Sequence, residues 1–205
     1  MKKLVGIVAV ATLAAGFSGG AAVAADLMVQ EPVMAPALAD DGSVYFKVYG
    51  GAVLEDSISI YSDDYDLDAG WLFGGAVGMD VFAPGLAVEL DATVSSSDIN
   101  GSFLDGVQVN GVTVMADLVY TAPLTDAVSA YFGAGLGVVG VQVDGDDFGY
   151  GAGGQVFAGL SLAVADNVSL FGEVRYQGAF STIDADGWDV DFSRTAVLAG
   201  LKFSF

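Results

Sequence analysis

The stretch "LAVELDATVSS", Leu86–Ser96, decides the fold. Leu86, Val88, Leu90, Ala92 and Val94 alternate with Ala87, Glu89, Asp91, Thr93 and Ser95. A period of two belongs to a β-strand whose two faces meet different surroundings. The pattern recurs at Val168–Gln177, where Val168, Leu170, Gly172, Val174 and Tyr176 oppose Ser169, Phe171, Glu173, Arg175 and Gln177. It recurs again at the end of the chain, with Thr195, Val197, Ala199, Leu201, Phe203 and Phe205 on one face and Ala196, Leu198, Gly200, Lys202 and Ser204 on the other. A soluble domain would fray there and leave an aromatic ring in water. The ending therefore asks what surrounds the apolar face.

Working outward, eight stretches carry this patterning: 44–54, 70–82, 86–96, 109–121, 127–141, 153–164, 168–178 and 194–205. Each is near the roughly 9–11 residues of a tilted membrane strand. Their connections alternate too. Ala83-Pro84-Gly85, Ala122–Asp126 and Ala165-Asp166-Asn167 read as tight turns. Glu55–Ala69, Ser97–Gln108, Gln142–Ala152 and Ala179–Ser193 are longer and rich in acids. One end of the sheet carries turns and the other carries loops, the asymmetry of transmembrane barrels.

The N-terminus differs from the rest. Lys2 and Lys3 precede an uncharged run from Leu4 to Phe17, and Ala22-Val23-Ala24 has the small-x-small form of a secretory cleavage site. Residues 1–24 are therefore expected to be a signal peptide cut between Ala24 and Ala25, the apolar run being too short for a spanning helix. Residues 25–43, with Pro32 and Pro36, read as an extended linker, and 44–205 as the barrel. Without residues 1–24, four basic residues face 26 acids, a net charge of −22. Such an imbalance argues against nucleic-acid partners, whose phosphates need basic contacts. There is no Cys, so stability rests on packing and backbone pairing.

Two closed eight-stranded architectures compete: a soluble barrel that is apolar inside, and a membrane barrel that is apolar outside. On the polar faces stand Lys47, Asp80, Glu89, Asp91, Asp117, Glu173, Arg175 and Lys202, with charges of both signs suited to pairing in an enclosed interior. On the apolar faces Phe46, Tyr120, Phe203 and Phe205 fall near the turn end, and Trp71 and Tyr176 near the loop end. Aromatic rings at two heights flanking an aliphatic zone are what the two interfaces of a bilayer favour. The expected fold is thus an all-β, eight-stranded antiparallel up-and-down transmembrane β-barrel, closed because an open edge in hydrocarbon leaves backbone groups unpaired.

The start "AVAAD", the proline-containing linker, "YFGAGLGVVG" at 131–140, "LFGEVRY" at 170–176 and the ending "LKFSF" resemble the small OmpA-like and OmpX-like barrels of Gram-negative outer membranes, especially the surface-antigen or porin-like family. The resemblance covers residues 22–205 and implies outer-membrane location, a periplasmic linker, and contact with membrane lipid and lipopolysaccharide. It also implies that Phe205, with Phe203, is read by the barrel assembly machinery. No peptidoglycan-binding domain is expected after the barrel, so wall anchoring is not carried over.

Other motifs weigh less. Gly135-Leu136-Gly137-Val138-Val139-Gly140 matches a dinucleotide fingerprint but continues a strand instead of opening a helix, so no cofactor is expected. Gly133, Gly135 and Gly137 share an inward face, where they are expected to make room for longer side chains from opposite strands. Asp64, Asp66 and Asp68 open like a calcium loop, but Ala69 and Gly75 stand where that loop needs Gly and Glu. Weak association of divalent cations with the acidic loops is the expectation there, bridging them to lipopolysaccharide phosphates. With no His or Cys to serve as base or nucleophile, the chain reads as non-enzymatic. The leading expectation is a barrel contributing to envelope integrity and surface interaction through acidic extracellular loops. The alternative is a small, weakly cation-selective channel past Lys47 and Arg175.

Overall fold

In the computed structural model, residues 43–60, 63–66, 70–81, 83–98, 108–143, 147–185 and 188–205 are described. The expected signal peptide with its Ala24–Ala25 junction, and all of the linker except Ser43, lie outside the described residues. Ten strands form in chain order: β1 (Val44–Ile60), β2 (Asp63–Asp66), β3 (Trp71–Asp80), β4 (Leu86–Asp98), β5 (Gln108–Pro123), β6 (Val128–Val143), β7 (Gly149–Ala165), β8 (Val168–Ala179), β9 (Ile183–Ala185) and β10 (Trp188–Ser204). Every pairing is antiparallel, and β10 closes on β1 from Tyr45–Ser204 to Ile60–Val190. The two short strands β2 and β9 only extend the ends of β1 and β10, so the barrel wall itself has eight strands.

The turns follow from local chemistry. In Ala83-Pro84-Gly85-Leu86 the Leu86 N–H donates to the Ala83 carbonyl at 3.0 Å, and Gly85 has φ 81°, which is the type II geometry that needs glycine at its third position. At the next turn the Thr125 hydroxyl oxygen accepts from the backbone N–H of Val128 at 3.0 Å, and Leu124 N–H donates to the Val128 carbonyl at 2.9 Å. Asp166 and Asn167 make the third.

Side chains alternate across the wall as the period of two requires. Val77, Leu90, Leu118, Leu136, Val156 and Leu160 are more than half exposed on the outside, while the residues between them are enclosed. In water that outer band would be a large unfavourable apolar surface; in lipid it is the expected one. At its turn end Tyr120 tilts against Phe132 with ring centroids 5.4 Å apart, and Phe46 stacks on Phe203 at 4.7 Å and on Phe205 at 6.0 Å. At the loop end stand Tyr176 and Trp71, the latter 5.5 Å from Phe73.

The strands run further at the loop end than the sequence reading placed them. β1 continues to Ile60, β7 begins at Gly149 and β10 at Trp188, all within segments read as loops. Beyond the hydrocarbon the outer face meets water, and the apolar-out signature disappears although backbone pairing persists. There the sidedness inverts: Val109, Val139, Val141, Ile183 and Phe192 are buried inside, while Gln108, Tyr150 and Asp191 are exposed. β9 packs against β6 and β7, and a Cβ on Gly149 or Gly151 would run into Ile183.

Candidate functional site: the charged barrel interior

Three strands with inward acids, one of which also carries an inward arginine, bring the charges together. On β4 the period of two places Glu89 and Asp91 one above the other; β5 adds Asp117 opposite Glu89, and β8 adds Glu173 and Arg175. All five are 0–4% exposed. Arg175 Nε donates to Glu173 Oε1 at 2.7 Å and Nη1 to Asp91 Oδ1 at 3.0 Å. Tyr49 bridges the same pair, donating its hydroxyl to Asp91 Oδ2 at 2.5 Å while its oxygen accepts from Arg175 Nη1 at 3.0 Å. Lys47 meets Glu89 Oε2 at 2.6 Å, and that oxygen also accepts from the Tyr45 hydroxyl at 2.9 Å. Tyr131 donates to Glu173 Oε2 at 3.1 Å.

Asp117 differs from its neighbours. Its two oxygens accept from Gln155 Nε2 at 2.7 and 2.8 Å, and it makes no ion pair among the described residues. From Gln155 a polar ladder climbs toward the loop end. Gln177 Nε2 donates to Gln155 Oε1 at 2.5 Å, and Arg194 Nε donates to Gln177 Oε1 at 2.7 Å. The other Arg194 nitrogens reach Ser95 and Thr93, and the Thr93 and Thr113 hydroxyls bond to each other.

Asp80 and Lys202 do not join the centre. Both sit at the turn-end mouth, where Ser43 donates to Asp80 Oδ2 at 2.5 Å and the Lys202 ammonium lies 3.8 Å from the Tyr45 ring centroid. They line a cavity of about 340 Å³ that also reaches Lys47, Ser129, Tyr131 and Phe171. Neither makes an ion pair among the described residues.

Above this vestibule the interior is filled by rings as well as charges. The Lys47 ammonium lies 5.2 Å from the Tyr131 ring centroid and 5.6 Å from that of Phe171, and the Arg175 guanidinium 5.2 Å from that of Phe157. The inward glycines of β6 make room for neighbours on the adjacent strands and not, as expected from sequence, for side chains from opposite strands. A Cβ on Gly133 would strike Phe157 of β7, and one on Gly135 the Asp117 carboxylate of β5. The dinucleotide-like glycines lie within β6, with no helix following among the described residues. Asp64 and Asp66 fall in β2, whereas Asp68, Asp144, Asp146 and Asp186 lie outside the described residues.

Sequence reading missed Arg194, Gln155, Gln177, Thr93, Thr113 and the three inward tyrosines as members of the network. The signal for several was parity: Arg194 is in step with Lys202 along β10, and Tyr45 and Tyr49 with Lys47 along β1. Gln155 and Gln177 could be placed on an inward face, but not beside Asp117 and Arg194, because strand register brings those neighbours in.

A closed eight-stranded wall that is aliphatic outside, ringed by aromatics at two heights and charged within defines a membrane-spanning barrel of the outer-membrane kind. The chain belongs to the outer membrane protein beta-barrel domain family, whose model matches residues 4–205. It is thus an outer-membrane protein of a Gram-negative bacterium. Among solved structures it is similar to Neisserial surface protein A, with a TM-score of 0.57 and 20% identity over 78% of this chain and 97% of that one. It is also similar to OprG of Pseudomonas aeruginosa, with a TM-score of 0.51 and 16% identity over 82% and 99%. A third is Ail, the attachment invasion locus protein of Yersinia pestis, in complex with the heparin analogue sucrose octasulfate, with a TM-score of 0.51 and 18% identity over 80% and 99%. At these identities the likeness is one of fold. No curated protein matches the sequence.

Proposed function

We propose that this barrel is non-enzymatic and serves envelope integrity and surface interaction through acidic extracellular loops, after export by a signal peptide cut between Ala24 and Ala25. The observation that carries this reading is the location of positive charge. Among residues 25–205 the cations are Lys47, Arg175, Arg194 and Lys202. Three are at most 5% exposed inside the barrel, and Lys202 lines the turn-end vestibule. The outer face therefore offers acids without a basic side chain. Lipopolysaccharide phosphates would meet it through divalent cations, and a sulfated polyanion such as the one bound to Ail would be repelled.

The mature chain should begin at Ala25, which intact mass reads directly. Folded protein in vesicles with lipopolysaccharide should associate with it in millimolar magnesium or calcium and release it on chelation. Binding that survives chelation, or retention on a heparin column at low salt, would overturn the reading. The cation-selective channel finds less support, because Phe157 and Asp117 occupy the room left by the glycines of β6 and β9 packs at the loop end of β6 and β7.

A further inference from the structure

The middle of the barrel holds more buried carboxyl groups than ion-paired cations. Four buried carboxylates, Glu89, Asp91, Asp117 and Glu173, share two ion-paired cations, Lys47 and Arg175, and Asp117 is held by the Gln155 amide in place of a cation. Arg194 lies toward the loop end, its nitrogens directed to Gln177, Ser95 and Thr93. A carboxylate removed from water without a compensating charge is far more costly than a lost hydrogen bond.

Glu89, Asp91 and Asp117 each bring one carboxylate oxygen within 4.8 Å of the others. Oxygens on opposite sides of a calcium-sized ion, each at roughly 2.3–2.6 Å from it, lie about 5 Å apart, so this spacing suits such an ion. A second observation points the same way. Glu89 is 3% exposed, and while its Oε2 takes Lys47 and Tyr45, its Oε1 is buried with no hydrogen-bond partner among the described residues. Arg175 Nη2 is likewise a buried side-chain atom without a hydrogen-bond partner among the described residues, a donor that a water carried by an ion would satisfy.

We infer that Glu89, Asp91 and Asp117 form a site for one divalent cation of the calcium class inside the barrel. Its charge gives Asp117 the cationic partner that no ion pair among the described residues supplies, and its ligands are hard oxygens that retain free lone pairs after their present hydrogen bonds. The vestibule supplies a route from the turn end, since it reaches Lys47, the partner of Glu89. The site is separate from the acidic loops and does not depend on the role proposed for them.

Terbium is a suitable probe, because Tyr49 and Tyr45 donate to two of the carboxylates and can sensitise its emission. Protein folded in zwitterionic micelles and stripped with chelator should bind one tyrosine-sensitised terbium that calcium displaces. Asp117→Asn should lose that emission and should no longer gain thermal stability from calcium. In chelator the variant should melt above the wild type, since it carries one fewer buried carboxyl group without an ion-pair partner. Emission retained in Asp117→Asn would place the ion in the loops and overturn the inference, as would absence of emission from the wild type. Glu89→Gln tests the same loss should the first variant fail to fold.

Discussion

At the scale of single residues, two leucines in the same wall have opposite environments. Leu90 on β4 is 60% exposed toward lipid, whereas Leu198 on β10 is 2% exposed within the interior cluster with Tyr49, Leu72 and Phe171. Shortening Leu198 to Ala leaves a cavity that rigid strands cannot close, at a cost of about 2–5 kcal/mol. Shortening Leu90 leaves none, since acyl chains move in, and should cost far less. Leu90→Arg, by contrast, should cost about 2–4 kcal/mol near the bilayer midplane. Urea titration of folding into vesicles measures all three. A larger cost for Leu90→Ala than for Leu198→Ala would mean that the faces are reversed, and equal costs that the two positions share one environment.

At the scale of elements, β10 answers the question posed by the chain's ending. Its last turn of pairing is held from both sides: Ser204 N–H donates to the Asn167 carbonyl at 3.0 Å and Phe205 N–H to the Val44 carbonyl at 2.9 Å. The Phe205 ring, 77% exposed, then stacks beside Phe46 on the outer surface, where an apolar ring gains from the membrane interface. We propose that Phe203 and Phe205 serve as an assembly signal. Deleting Phe205 removes one stacked ring and one seam hydrogen bond, which is little beside the whole β1–β10 seam. The deletion should therefore lower the amount of assembled barrel in the membrane more than it lowers the stability of barrel that has folded. Heat-modifiable gel migration of membrane fractions reads the first quantity and refolded purified protein the second. Normal assembly of the deletion variant would remove the assigned role.

At the scale of the whole molecule, three interior zones follow one another along the axis. A vestibule opens at the turn end, a charged and aromatic layer fills the middle, and an apolar layer with Ile183 and Phe192 lies at the loop end. An eight-stranded barrel is just wide enough for side chains to fill it. Planar-bilayer recordings of the folded protein should therefore show no steady, reproducible conductance. A constant unitary current with cation selectivity would favour the channel reading instead, and its loss on enlarging Gly135 to Ala would locate the path along β6.

The sequence by itself determined the number of barrel strands, their antiparallel order, the turn and loop ends and the face each residue presents, because lipid imposes a period of two that no local preference can hide. The alternation of Leu86–Val94 against Ala87–Ser95 carried that reading, and the parity of Lys47, Glu89, Asp91, Glu173 and Arg175 carried their inward placement. Where lipid stops acting the signal stops as well, so the extensions of β1, β7 and β10 into water went unread although their backbones still pair. Only the tertiary structure decided which inward groups meet. Register between strands sets Gln155 on Asp117 and Arg194 on Gln177, and barrel closure brings Arg175 to Asp91 across 84 residues of chain. Asp80 and Lys202 share the inward parity of that network yet stand apart at the mouth, because parity specifies a face and says nothing of height along the axis.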